Sequence, residues 1–424
     1  MRLEVSPADA LADEPLSIRL AGLPADAAVA VAASAADEEA SRWRSEARFA
    51  AAPEGTLDLG RVAPSSGSYD RADPMGLLWS MGPPEGEKDP RFRMPWDGFE
   101  VELEAMADGE RASATIRRRF AAAGVERVDI DQRDLTAALF LPPPPGPHPG
   151  VAMFHGSGGG IAGLAPSGAL LASHGFAALV VGYFGVPGRP RTLCEVALES
   201  LAAGVEHLRG HERVDGGRLG AVGTSVGAEA ALAMASYIEG LGLAAVVAVA
   251  PSSVVWQALA DGRPPHKPRW TLGGRPLDYA PVRGERLLWQ IMIANPLRRA
   301  VRRPPELRTA KAYEAGLRQP AARDAAIPVE RIRAPLLLLA GDDDQVWPAA
   351  EMAQALLARR GRQHADRLVT YPDTGHISLR PPGVPTTVLR SGELAFGGTA
   401  AGFFDAMEAA WPEILRFLDA SLAS

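Results

Sequence analysis

Leu219-Gly-Ala-Val-Gly-Thr-Ser-Val-Gly227 is the segment that most clearly indicates how this chain folds. An apolar strand pattern runs into Gly-x-Ser-x-Gly, and a helix pattern rich in small residues follows directly. A serine in so tight a strand-to-helix turn projects its hydroxyl above the sheet, and the flanking glycines leave room for neighbouring backbone. The spacing predicts that Ser225 is a catalytic nucleophile.

Gly-x-Ser-x-Gly also arises by chance, as a helix start that is capped by serine and packed closely through glycine. Two later motifs argue against that alternative. The last long apolar strand runs into Gly341-Asp-Asp-Asp344, and Tyr371-Pro-Asp-Thr-Gly-His376 follows the short strand Arg367-Leu-Val-Thr370. The order Ser, Asp, His along the chain is typical of hydrolases with this nucleophile turn, so His376 is predicted to be the base.

Three consecutive aspartates compete for the acid of this triad. In this class the acid usually stands three residues past the glycine that ends the strand, which selects Asp344 over Asp342 and Asp343. Asp343 is the alternative. The acid orients the imidazole and stabilises the imidazolium that forms when His376 accepts the proton of Ser225.

A glycine-rich loop, Phe154-His-Gly-Ser-Gly-Gly-Gly160, follows the first buried strand. It lacks the Lys-Ser/Thr ending of a phosphate-binding loop and the full spacing of a dinucleotide loop. Its position before the nucleophile turn predicts that it supplies one donor of an oxyanion hole. The expected donors are the backbone N–H groups of Val226 and Ser157, and His155 is interpreted as a packed histidine that supports the loop.

Around these motifs, continuous apolar strands alternate with helical stretches. This alternation predicts a doubly wound α/β domain with a buried parallel sheet. The predicted strands lie at 150–154, 177–181, 219–222, 245–249 and 335–340, and the predicted helices at 193–207 and 228–237.

The chain before the proline run Leu141-Pro-Pro-Pro-Pro-Gly-Pro-His-Pro-Gly150 has a different pattern. Short alternating segments at 16–20, 99–104 and 114–119 are separated by Gly, Pro and Asp turns. This pattern is typical of an antiparallel β-sandwich. No catalytic motif is found there.

The proline run marks a stiff connector, so residues 1–140 and 141–424 are predicted to be two domains. Within the second, residues 256–326 are predicted to form a cap-like insertion that shapes the acyl pocket or its entrance. Four arginines of this region either meet a phosphorylated carrier or line a solvated helix face: Arg298, Arg299, Arg302 and Arg303.

The bulk composition excludes several functional classes. A net charge of −7 over 424 residues gives no field that attracts nucleic acid, so a polyanionic ligand would have to use a local basic patch. The apolar run at 241–250 is too short to span a bilayer, and no apolar leader follows Met1. The single cysteine, Cys194, is interpreted as a buried filler. We therefore expect a cytoplasmic protein with no metal and no other cofactor.

Several motifs together give the chain a family resemblance. It resembles the acyl-CoA thioesterase and bile acid-CoA:amino acid N-acyltransferase family. The segments that carry the resemblance are Gly67-Ser-Tyr-Asp-Arg-Ala-Asp-Pro-Met-Gly-Leu-Leu-Trp79, Met153-Phe154 with its glycine loop, Gly223-Thr-Ser-Val-Gly-Ala-Glu229, Met234-Ala-Ser236, Ile327-Pro-Val-Glu330, Gly341-Asp-Asp-Asp-Gln-Val-Trp347, Tyr371-Pro-Asp-Thr-Gly-His376 and Phe396-Gly-Gly398.

The resemblance implies an immunoglobulin-like β-sandwich followed by an α/β-hydrolase domain, and an acyl-CoA thioester as substrate. It also implies Ser225 as nucleophile, Asp344 as acid and His376 as base. Family branches that transfer the acyl group to an amino acid tend to carry cysteine at the nucleophile turn. Serine at this position favours water as the acceptor.

The chain departs from its relatives in two places. Val226 stands where relatives often have a basic residue, and residues 291–303 form an extra stretch. Four functions stay open at this point: thioester hydrolysis, acyl transfer to an amine, ester or peptide hydrolysis, and a catalytically idle binding module. The carrier is open between coenzyme A, an acyl carrier protein and a simple ester. Trp79, Trp96 and Trp347 are interpreted as packing residues.

Overall fold

The structure of the chain, a computed structural model, describes residues 1–87, 90–260, 265–361 and 365–423. The predicted insertion at 256–326 includes residues 261–264, which lie outside the described residues. The predicted second domain likewise includes residues 362–364 and 424, and the first includes residues 88–89.

The first part of the chain forms two β-sheets. Three strands pair in the order β1-β3-β6, and six pair in the order β2-β9-β8-β4-β5-β7, with every pairing antiparallel except that of β2 with β9. In chain order the strands are β1 (Arg2–Ser6), β2 (Asp9–Leu11), β3 (Ser17–Ala21), β4 (Ala28–Ala36), β5 (Arg42–Ala50), β6 (Thr56–Asp58), β7 (Ser66–Gly67), β8 (Gly98–Ala107) and β9 (Glu110–Arg119).

Alternating burial explains why these strands form a sandwich. Buried and exposed residues alternate along the whole of β5, so Trp43, Ala47 and Phe49 point into the core while the residues between them face solvent. One polar or charged face and one apolar face is the pattern of a sheet that is covered on one side only. The β-sandwich predicted from the sequence is confirmed.

The second part of the chain is built on an eight-stranded sheet with the order β10-β11-β13-β12-β15-β16-β19-β20. The strands from here to the end of the chain are β10 (Glu126–Asp131), β11 (Thr136–Leu141), β12 (His148–Phe154), β13 (Ala177–Val181), β14 (Val196–Ala197), β15 (Val214–Thr224), β16 (Leu243–Val249), β17 (Trp270–Leu272), β18 (Arg275–Pro276), β19 (Leu336–Gly341), β20 (Arg367–Tyr371), β21 (Arg390–Ser391) and β22 (Leu394–Ala395).

The hairpin β10–β11 connects the two parts of the chain. It precedes the proline run and is antiparallel, and β11 pairs with β13 of the large sheet. The chain therefore passes from the sandwich sheets to the large sheet between Arg119 and Glu126. Neither strand resembles the alternating strands before them, because β11 is continuously apolar and β10 is exposed. The division into residues 1–140 and 141–424 stays a prediction.

From β13 to β20 the large sheet is parallel, with helices as crossover connections. Every residue of β13 and β19 is buried, as a parallel strand covered on both faces requires. The helices are α1 (Gly76–Trp79), α2 (Ala165–Ser173), α3 (Leu198–Gly210), α4 (Val226–Tyr237), α5 (Glu285–Trp289), α6 (Asn295–Ala300), α7 (Ala310–Leu317), α8 (Ala321–Asp324), α9 (Ala349–Arg360) and α10 (Ala400–Leu422), with a π-helix at Gln290–Ala294 and a 3₁₀-helix at Val329–Arg331. This is the predicted α/β-hydrolase fold.

The parallel strands bring the predicted catalytic residues to one edge of the sheet. β15 ends at Thr224, β19 at Gly341 and β20 at Tyr371, and each of these strands is parallel to its neighbour. In open parallel sheets, the crevice outside the carboxyl ends of the strands is where ligands bind. The loops that carry Ser225 and His376 therefore meet there.

Aromatic side chains pack the two parts of the chain together. Trp79 of α1 stacks on Phe404 of α10 with ring centroids 5.7 Å apart, and its Nε1 donates to Asp73. Trp96 packs against Phe140 of β11 at 5.7 Å. These contacts agree with the interpretation of both tryptophans as packing residues.

Candidate active site

The turn between β15 and α4 holds Ser225 in a backbone conformation that L-residues rarely adopt, with φ 56° and ψ −121°. Both flanking glycines are needed here because backbone passes too close for a side chain. A Cβ on Gly223 would lie 2.1 Å from the carbonyl oxygen of Gly227, and a Cβ on Gly227 would lie 2.1 Å from that of Phe154. The strained serine is thus fixed by its neighbours, as at a nucleophile elbow.

Ser225, His376 and Asp344 form one continuous hydrogen-bonded chain. The Nε2 atom of His376 lies 2.8 Å from Oγ of Ser225, and its Nδ1 atom lies 2.7 Å from Oδ2 of Asp344. The side chains of His376 and Asp344 are 10% and 3% exposed. A neutral imidazole that donates from Nδ1 to a carboxylate has Nε2 free to accept the proton of a serine hydroxyl.

The second carboxylate oxygen of Asp344 is also used. Its Oδ1 atom accepts from the backbone N–H groups of Val346 at 2.8 Å and Trp347 at 3.1 Å. These bonds fix the plane of the carboxylate. With one oxygen held by backbone, the other is aimed at the imidazole.

Asp343, the alternative acid of the sequence analysis, has a different task. Its Oδ2 atom accepts from the backbone N–H of Gly398 at 2.8 Å, and its Oδ1 atom accepts from Gln345 at 2.5 Å. The Phe396-Gly-Gly398 segment in turn carries the histidine loop, because the carbonyl of Phe396 accepts from the backbone N–H of His376 at 2.8 Å. Asp343 thus holds the Phe396-Gly-Gly398 segment, which in turn bonds the backbone of His376, and it does not contact the imidazole ring.

The predicted oxyanion donors belong to two segments that border Ser225. Val226 begins α4, so its N–H has no acceptor within the helix and belongs to the positive end of the helix dipole. On the opposite side Gly156 makes the close approach, because a Cβ there would lie 3.3 Å from Cβ of Ser225. Ser157 follows it and is exposed. The N–H groups of Val226 and Ser157 stay the predicted donors.

His155 packs below the glycine loop. Its ring stacks on Tyr183 at a centroid distance of 4.3 Å, and its Nδ1 atom lies 2.8 Å from the carbonyl oxygen of Gly156. Burial lowers the pKa of His155 to about 4, so the ring is neutral near pH 7. These contacts, with His155 only 4% exposed, fit the supporting role inferred from the sequence.

The part of the chain that the structure describes offers little support for a metal site, a reactive cysteine or a membrane-spanning helix. No three His, Cys, Asp or Glu side chains converge there as a metal site would need. Cys194 is half-buried rather than buried as expected, and burial raises the pKa of its thiol, which disfavours the reactive thiolate. Among the described helices, none combines the length and the apolar character needed to cross a bilayer.

Comparison with known protein families agrees with this geometry. Residues 13–132 match the family model described as "Acyl-CoA thioester hydrolase/BAAT N-terminal region", and residues 196–424 match "BAAT / Acyl-CoA thioester hydrolase C terminal". The second match alone covers more than half of the chain. The chain belongs to the acyl-CoA thioester hydrolase/BAAT family.

Individual members of this family match almost the whole chain. Acyl-coenzyme A thioesterase 1 of Rattus norvegicus is 31% identical over 97% of this chain and 94% of its own length. The peroxisomal succinyl-coenzyme A thioesterase of Mus musculus is 30% identical over 97% and 94%. Acyl-coenzyme A amino acid N-acyltransferase 1 of Mus musculus is 29% identical over 98% and 97%. The resemblance inferred from sequence motifs is confirmed.

Beside the site, this member of the thioester hydrolase/BAAT family carries a buried ion pair that the sequence analysis missed. Glu229 in the first turn of α4 and Arg269 before β17 are both wholly buried, and their side chains meet at 2.5 Å. The remaining carboxylate oxygen accepts from the backbone of Trp256 at 3.0 Å and from Nε1 of Trp270 at 2.8 Å. The ion pair therefore ties α4 to the region that precedes β19.

The same arginine connects to the histidine through aromatic rings. Its guanidinium lies over the ring of Trp347 at 5.7 Å, and Trp347 meets the ring of His376 edge-on at 5.6 Å. Trp347 is 1% exposed, in keeping with its interpretation as a packing residue. Glu229 was visible only as part of a family motif. Its partner lies 40 residues away, and no local pattern pairs the two.

Glu229→Gln should strongly destabilise the protein, because it leaves the Arg269 guanidinium buried without its countercharge. We expect a loss of about 3–5 kcal/mol, measured as a shift in the urea unfolding midpoint. Glu102→Gln is the matched control, since it breaks the solvent-exposed pair of Glu102 with Arg42 and should cost about 1 kcal/mol or less. Equal effects of the two substitutions would show that the buried pair does not hold α4 in place.

Proposed function

We propose that this chain hydrolyses acyl-CoA thioesters through an acyl-enzyme on Ser225. The observation that carries the proposal is the hydrogen-bonded line from Ser225 Oγ through His376 to Asp344, at a strained turn. Membership of the acyl-CoA thioester hydrolase/BAAT family supports the choice of thioester, and the names of the relatives support coenzyme A as the carrier.

In the first half of the reaction, the Ser225 hydroxyl attacks the thioester carbonyl while its proton moves to Nε2 of His376. Asp344 holds the Nδ1 proton and stabilises the imidazolium. The tetrahedral oxyanion would be held by the N–H groups of Val226 and Ser157, at the positive end of α4. When the C–S bond breaks, His376 returns the proton to the leaving thiolate, and the acyl group stays on Ser225 as an oxygen ester.

In the second half, water attacks the acyl-enzyme. His376 removes a proton from this water and then donates it to the departing Ser225 oxygen, which releases the free acid and restores the starting state. An amine would follow the same path and give an amide. An oxygen ester is less reactive toward amines than a cysteine thioester, so a serine nucleophile favours water.

The experiment that tests the proposal supplies acyl-CoA with and without millimolar glycine or taurine and measures free acid against amide. We expect free acid to dominate in both cases. Ser225→Cys is the matched variant, because its thioester intermediate should shift the product toward amide. Dominant amide with background free acid in the wild type would instead establish N-acyl transfer, the activity named for one relative. Cleavage of simple esters alone would agree with the triad but would contradict the proposal that the substrate is a thioester.

Two narrower predictions remain part of this proposal. An acyl carrier protein is an alternative donor of the acyl group, and the same assay with carrier-bound substrate compares the two donors directly. A cytoplasmic location also stays a prediction, since one of the named relatives is a peroxisomal protein.

A further inference from the structure

One helical segment of the chain exposes its apolar side chains and turns polar side chains toward the protein. α5, the π-helix and α6 follow one another without interruption from Glu285 to Ala300. Their outward face, with Val301 just beyond, exposes seven large apolar side chains by 49–73%. These side chains, called the outward face below, are Leu288, Trp289, Ile291, Met292, Ile293, Leu297 and Val301. Elsewhere among the described residues, the large apolar side chains that stand out as exposed are Met106 and Val128, both at 43%.

Polar side chains hold the other face of this segment to the protein. Asn295 is 1% exposed and bonds both to Glu393 at 3.1 Å and to the backbone N–H of Glu306 at 2.9 Å. Gln290 donates to the carbonyl of Arg308 at 3.0 Å and accepts from its N–H at 2.8 Å. A surface helix ordinarily buries its apolar stripe, and this one buries its polar stripe. The apolar face is therefore built for contact with something outside the chain.

Charge indicates what that contact is. Arg302 and Arg303 close the segment and are exposed, and no described carboxylate lies within ion-pair distance of either. The segment carries one acidic residue, Glu285, which is already paired with Arg283 at 2.9 Å. A second copy of this face would bring further arginines and no free carboxylate. An anionic phospholipid surface supplies both the apolar layer and the negative charge.

We propose that the outward face, with Arg302 and Arg303, is a docking surface for anionic phospholipid membranes. The segment would lie in the plane of the membrane interface, with its apolar side chains between the lipids and its arginines at the headgroups. This inference goes beyond the proposed function, because lipid contact does not depend on which bond Ser225 breaks. The local basic patch also accounts for how a chain of net charge −7 would reach an anionic surface.

Membrane docking would bring the candidate active site close to lipid-dissolved substrate, an argument that rests on the proposed function. A groove of about 630 Å³ runs between Trp289 of the outward face and Gln345, which follows the triad acid Asp344. An acyl thioester with a long hydrocarbon chain partitions into lipid layers, since each buried CH₂ contributes about 0.8 kcal/mol. Docking would place the mouth of this groove against the layer that holds the substrate.

The test is sedimentation of the full chain with vesicles of phosphatidylcholine alone and of phosphatidylcholine mixed with phosphatidylserine. The wild type should bind the mixed vesicles and bind the neutral ones much less. Arg302→Gln with Arg303→Gln should weaken binding to the mixed vesicles by about 25-fold. Ile291→Gln with Met292→Gln should weaken it by about tenfold or more. Met106→Gln with Val128→Gln removes exposed apolar surface elsewhere and should leave binding to the mixed vesicles unchanged.

Turnover of a short, water-soluble acyl-CoA without vesicles shows that each variant is folded and separates the two proposals. If the wild type cleaves thioester but does not bind anionic vesicles, the docking proposal is wrong and the proposed function stands. If vesicles bind as expected and no thioester is cleaved, only the proposed function fails. A concentration-dependent dimer that Ile291→Gln with Met292→Gln abolishes, without vesicle binding, would assign the outward face to a second copy and overturn the lipid proposal.

Discussion

Ser225→Ala is expected to lower kcat for acyl-CoA hydrolysis by about a million-fold, with KM and the thermal midpoint nearly unchanged. The hydroxyl forms the bond to the acyl group, whereas substrate binding relies on the rest of the site. Alanine keeps the Cβ of serine and can adopt the same backbone conformation at φ 56°. The variant should therefore remain folded while losing the reaction.

Steady-state kinetics with thiol detection measures this loss, and calorimetry checks the fold. Cys194→Ala is the matched control, since it removes the single thiol of the chain and should leave kcat at the wild-type value. Near wild-type turnover by Ser225→Ala would refute its role as nucleophile. Loss of turnover in Cys194→Ala instead would transfer that role to the cysteine.

Asp344→Asn should lower kcat by about ten-thousand-fold, and Asp343→Asn by about tenfold or less. An amide at position 344 presents an N–H to Nδ1 of His376 and stabilises the tautomer whose Nε2 carries the proton. That tautomer cannot accept the Ser225 proton. Asp343 bonds to Gly398 and Gln345 rather than to the ring, so asparagine there still offers one acceptor oxygen.

The two asparagine variants are compared under one set of conditions, with unfolding midpoints measured alongside. Equal losses of kcat in the two would show that the acid acts through the loop as a whole and not through one carboxylate. A larger loss in Asp343→Asn than in Asp344→Asn would make Asp343 the acid in solution.

The parts of the site that the sequence predicted are those encoded by contiguous motifs. Gly-x-Ser-x-Gly is recognisable because its residues are contiguous, although only the close contact of Gly223 with Gly227 is local and that of Gly227 is with the distant Phe154. The parallel strands were predictable because burial on both faces leaves a continuous apolar run, as in β13 and β19.

The features that the sequence did not reveal depend on long-range partners. The hairpin β10–β11 joins the large sheet only because β11 meets β13, which lies some distance along the chain. The Glu229–Arg269 pair joins a helix to an irregular segment, and neither residue has a charge partner nearby in sequence that predicts the other. The helical segment from Glu285 shows apolar residues that would ordinarily be assigned to the core. Only the contacts of Gln290 and Asn295 show that its polar side faces inward.

Mass mapping of the acyl group on the enzyme identifies the residue that carries the acyl intermediate. Wild type and Ser225→Ala are mixed with acyl-CoA, quenched in acid during turnover, and analysed as intact protein and as peptides. We expect an added acyl mass on the wild type, located at Ser225 and absent from Ser225→Ala. The same added mass on Ser225→Ala, or its location on another side chain such as Cys194, would show that Ser225 is not the nucleophile.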